Sequence, residues 1–68
     1  MLNNKEIYTQ LSLFKYKNNK QPKYLVINTE YEDEISNIME SLKSDFPEIP
    51  NIEIIISSRV AKQKFVII

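Results

Sequence analysis

Lys23-Tyr24-Leu25-Val26-Ile27-Asn28-Thr29 runs straight into Glu30-Tyr31-Glu32-Asp33-Glu34-Ile35. An apolar run of strand length gives way, at one threonine, to the acidic opening of a helix. Thr29 and Glu32 have capping-box spacing, in which the hydroxyl accepts from a backbone N–H of the first turn and the glutamate reaches back. Glu30, Glu32, Asp33 and Glu34 then sit where the positive end of the helix dipole favours negative charge. Tyr31, Ile35, Ile38, Met39, Leu42 and Phe46 recur on one helical face. Pro47 stops the run and pushes Phe46 towards an extended conformation. The pattern predicts a strand over 23–29 and a helix beginning at Thr29.

Working outward, residues 7–16 are read as another strand. Ile7, Thr9, Leu11 and Leu13 fall on one face, and Tyr8, Phe14 and Tyr16 on the other with Gln10 and Ser12. Asn18 and Asn19 offer the turn that would join this strand to 23–29 as a hairpin, since asparagine tolerates the left-handed region in a chain without glycine. On the far side of the helix, Asn51–Ser57 reads as a third strand and 62–68 as a fourth, separated by a loop carrying Arg59. The predicted fold is an α+β, two-layer ββαββ arrangement: a four-stranded sheet with one helix on one face. Strands two and three are expected to run parallel across the helix, and residues 1–68 to form a single domain.

The residues the chain lacks limit its chemistry. It has no His, Cys, Gly or Trp. Imidazole for acid–base work near neutrality, thiolate for nucleophiles and soft metals, and glycine-rich phosphate loops are therefore unavailable. No catalytic, cofactor-binding or metal-ligating set is expected, and the chain is read as a non-enzyme. The acidic cluster at 30–34 has no second carboxylate cluster in the sequence to complete an oxygen cage, so capping and solubility are its leading explanation, ahead of mimicry of nucleic-acid phosphate towards a basic protein. No apolar h-region follows Met1–Glu6, and the runs Ile54–Ile56 and Phe65–Ile68 are too short to span a bilayer. A cytoplasmic location with no membrane partner is the expectation. The heavy use of Ile, Asn and Lys suits an AT-rich genome such as a phage or plasmid of a low-GC bacterium.

A formal net charge of zero hides segregation. Residues 1–29 set Lys5, Lys15, Lys17, Lys20 and Lys23 against Glu6, while residues 30–53 set Lys43 against eight carboxylates. Arg59, Lys62 and Lys64 close the chain without an acid. Two surfaces follow. The first is the basic–aromatic stretch 14–24, where Lys15, Lys17, Lys20 and Lys23 would meet phosphates beside stacking aromatics.

The second is the C-terminal hairpin. Ile55, Val66 and Ile68 point opposite to Ile54, Ile56, Phe65 and Ile67, so both faces are apolar. A single helix covers only one of them. The other, with Tyr8, Phe14 and Tyr16 placed on it, is left for an interface. The expected function is a small non-enzymatic interaction module, acting as a binder, inhibitor or adaptor by occluding a partner's surface. Self-association as a homodimer through that face is expected. The alternative is nucleic-acid binding through the 14–24 hairpin.

Overall fold

A computed structural model describes residues 2–68. In chain order it contains helix α1 (Asn4–Asn18), strand β1 (Tyr24–Ile27), a 3-10 turn (Thr29–Glu34), helix α2 (Ile35–Asp45), strand β2 (Glu53–Ile56) and strand β3 (Phe65–Ile67). The protein is α+β, with two helices and a three-stranded mixed sheet of order β2-β1-β3. The sequence-predicted ββαββ order and fourth strand are corrected at the first element.

Residues 7–16 are helical, not extended. The Asn3 side chain accepts from Glu6 N at 3.1 Å, which satisfies one of the unpaired amides of the first turn. At the other end Asn19 adopts the left-handed region, with φ 53°, and its N–H reaches Lys15 O at 2.9 Å. Lys15 and Lys17 lie in the last turn, where the dipole is negative. Ile7 and Leu11, one turn apart, are the buried residues of this helix. The Asn18-Asn19 turn is thus a helix cap and not a hairpin tip.

The helix start after β1 also moves. Asn28, not Thr29, is the cap: its Oδ1 accepts from Glu30 N at 2.9 Å. The acidic stretch 29–34 is wound as a 3-10 turn before the α-helix proper begins at Ile35. Asn28 is buried and its Nδ2 also donates to Val60 O, at 2.6 Å. One side chain therefore ties the start of the helical segment to the loop between β2 and β3.

β1 and β2 are parallel, in the register Val26↔Ile55, as expected for strands joined by a crossover helix. β3 pairs antiparallel with β1, in the register Val26↔Val66. The expected C-terminal hairpin is absent: β2 and β3 lie on opposite sides of β1. Apolar residues on both faces of β1 suit it to the centre of the sheet. Both helices pack on one sheet face. Ile7 and Leu11 from α1, Leu42 from α2, and Leu25 and Ile27 from β1 form the core with Tyr31, Ile49 and Ile52.

Candidate protein interface

Pleating sorts the strand residues into two sets. Leu25 and Ile27 point to the helices and are fully buried, and their neighbours Ile54, Ile56, Phe65 and Ile67 pack against the same core. The intervening residues form the opposite face. Val26 is flanked by Ile55 on β2 and Val66 on β3. One step along, Tyr24 exchanges backbone bonds with Ile68, at 3.0 and 3.1 Å. Ile55, Val66 and Ile68 are 37%, 46% and 53% exposed. The structure thus brings together three of the residues expected at an interface, on a sheet face that no helix covers.

The three aromatics expected beside them are elsewhere, because they belong to α1. Tyr8 stacks on Phe46 with ring centroids 4.3 Å apart and planes 6° from parallel, between α1 and the end of α2. Phe14 is half-buried in a cleft beside β3. Tyr16 is 87% exposed on the last turns of α1. The strand-parity argument that grouped them fails once the period is 3.6 instead of 2.

Lys15, Lys17, Lys20 and Lys23 are all exposed. They occupy the end of α1 and the connection to β1, not a hairpin. Lys15, Tyr16 and Lys20 line one shallow concavity with Ser12, Asn19 and Gln21. A basic surface beside an exposed phenol is therefore present, built on a helix C-terminus.

Two phenols have perturbed acidity. The Glu48 carboxylate beside the Tyr8 hydroxyl, by hydrogen bonding and by charge, raises the pKa of that phenol, burial adds to this, and Ser12 opposes it. Burial raises that of Tyr31, helped by the Glu30 and Glu34 carboxylates and opposed by the Gln63 backbone. The Tyr31 hydroxyl is buried without a hydrogen-bond partner among the described residues. No group of three or more acidic side chains converges as a metal cage among the described residues.

Sequence reasoning missed the cleft between α1 and β3. Glu6, Gln10, Leu13 and Lys17 line it from the helix, and their spacing of four, three and four residues is the signal of a helical stripe. That stripe exists only where residues 4–18 are helical. No helix among the described residues is long and apolar enough to cross a membrane. The chain matches no protein-family model, no curated protein and no solved structure.

Proposed function

We propose that the chain is a non-enzymatic protein-interaction module that binds by laying its uncovered sheet face on a partner's surface. The supporting observation is the contiguous apolar row Ile55, Val26 and Val66, extended by Ile68, on the face turned away from both helices. Exposed apolar clusters of this kind mark contact surfaces. Occlusion of a partner by an inhibitor or adaptor needs no catalytic group, and the residue inventory suits that role.

The size of the face limits the mode of binding. Three strands at ~4.8 Å spacing, the longest of 4 residues at ~3.3 Å each, give a footprint of roughly 14 by 13 Å. A stable standard interface buries about 800 Å² per partner. Face-to-face pairing of two copies through this row alone is therefore a weak association, and a tight partner extends past it. Light scattering on wild type and Val66→Lys across a dilution series tests the reading. A mass that rises with concentration in wild type, and not in the variant, supports it. A wild type that stays strictly monomeric at the highest concentration reached sinks the self-association.

A second reading rests on Tyr16. A phenol this exposed, with Lys15 and Lys20 lining the same concavity, supports single-stranded nucleic-acid contact by stacking and phosphate pairing. Arg59 as the one arginine and zero net charge weigh against it.

A further inference from the structure

The edge of the sheet at β3 stands on different atoms from the open face. Tyr24 N donates to Ile68 O and Ile68 N to Tyr24 O, so this is a hydrogen-bonded pair of the antiparallel ladder. Alternation makes Val26–Val66 the next such pair. The N–H and C=O groups of Phe65 and Ile67 consequently point away from β1, and β3 is an edge strand. No described residue hydrogen-bonds to them from outside.

Helix α1 packs against the strand at that edge. Two helices side by side span about 16–20 Å, whereas three strands span about 14 Å. α1 packs against α2 on one side and β3 on the other, so it is the helix at this margin. Beneath it is a cleft of about 380 Å³ whose surface is mostly polar, with Gln10 and Asn18 beside Leu13 and Phe14 on the helix wall and Gln63 beside Phe65 and Ile67 on the strand wall. Leu13 is 38% exposed there, an apolar side chain that the three-stranded sheet does not reach. Lys17 and Lys64 line the cleft against the single carboxylate of Glu6.

We propose that the β3 edge is a strand-addition site. An extended segment of a partner protein pairs with the outward backbone groups of Phe65 and Ile67 as a fourth strand. It places alternate apolar side chains under Leu13 and Phe14, and a carboxylate near Lys17 or Lys64. Main-chain bonds supply the affinity and the cleft selects the side chains. A second copy of β3 is a poorer occupant, because its own α1 would need the same space above the joint.

The experiment selects a displayed library of random short peptides on the full chain and resynthesises the enriched sequences. Enriched peptides are expected to alternate apolar residues and to carry an acid. Bound peptide should slow amide hydrogen exchange at Phe65 and Ile67 by about tenfold or more, a readout that needs no variant. Leu13→Glu, and Lys17→Glu with Lys64→Glu, should each weaken binding by about tenfold. Ile55→Lys, on the other face, should leave it unchanged. Failure to enrich any peptide, or binding that leaves exchange at Phe65 and Ile67 unaltered, overturns the proposal. So does a wild-type dimer that Leu13→Glu converts to monomer, because the cleft then belongs to a second copy.

Discussion

Val26 stands directly opposite Val66 across the antiparallel β1–β3 pair, and on its other side it is level with Ile55 of β2. This single row across the sheet carries apolar side chains on the face that the helices leave bare. The row beside it, buried Leu25 between half-buried Ile54 and Ile67, faces the core. The two rows have the same chemistry and differ in what covers them.

Substituting the outer row should therefore alter association while leaving folding intact. Ile55→Lys and Val66→Lys are expected to shift stability by no more than about 1 kcal/mol, since exposed substitutions seldom cost more. Leu25→Ala, in the inner row, should cost about 2–5 kcal/mol through lost burial and the cavity it leaves. Urea denaturation of the three variants measures the difference. Unfolding by Ile55→Lys would show that the outer row belongs to the core.

Asn28 is expected to be the most sensitive polar position. It caps the turn at Glu30 N and holds Val60 O. Asn28→Ala removes both, at a cost of about 1–3 kcal/mol. Thr29→Ala should change stability by less than about 0.5 kcal/mol. Chemical denaturation compares the pair, and a larger effect at Thr29 would return the cap to the threonine.

Alkaline pH should destabilise the fold through Tyr8 and Tyr31. Both phenols have a pKa raised above the ordinary tyrosine value of 10.0. The unfolded chain therefore loses these protons first. Stability is fully present below the ordinary tyrosine range and falls as pH rises through it towards the raised folded values. Tyr31→Phe removes the buried unpartnered hydroxyl, so it should be neutral or stabilising by up to about 1 kcal/mol at neutral pH. It should also flatten the alkaline loss. Thermal melts of wild type and variant from neutral to alkaline pH measure both effects, and a marked loss at neutral pH would reveal a partner for the hydroxyl.

Salt decides the nucleic-acid reading. Neutralising two of Lys15, Lys17, Lys20 and Lys23 should reduce the log–log salt slope of single-stranded DNA binding by roughly two, as fewer counterions are released. Fluorescence anisotropy with a labelled oligonucleotide reports it. No binding by wild type at low salt ends that reading.

Several features were legible in the sequence because they depend on neighbours along the chain. The run Leu25-Val26-Ile27 is apolar on both faces and forms a strand in any arrangement. The acidic start and the apolar stripe from Ile35 to Phe46 specify a helix. The crossover between them forces the next strand to lie parallel. The opposition of Ile55, Val66 and Ile68 to Ile54, Phe65 and Ile67 follows from the twofold period of a strand.

Residues 7–16 are helical where the alternation predicts a strand, because short mixed runs of Ile, Leu, Tyr and Phe fit either period in part. The deciding signal lay just outside that window, in the Asn3 and Glu6 cap and in the left-handed Asn19. Only the tertiary structure decided that β1 stands between β2 and β3, since strand order depends on which surfaces the two helices bury. The bare sheet face and the open β3 edge come from the same cause: both helices lie on one side of the sheet, and β3 has a neighbour only on its β1 side.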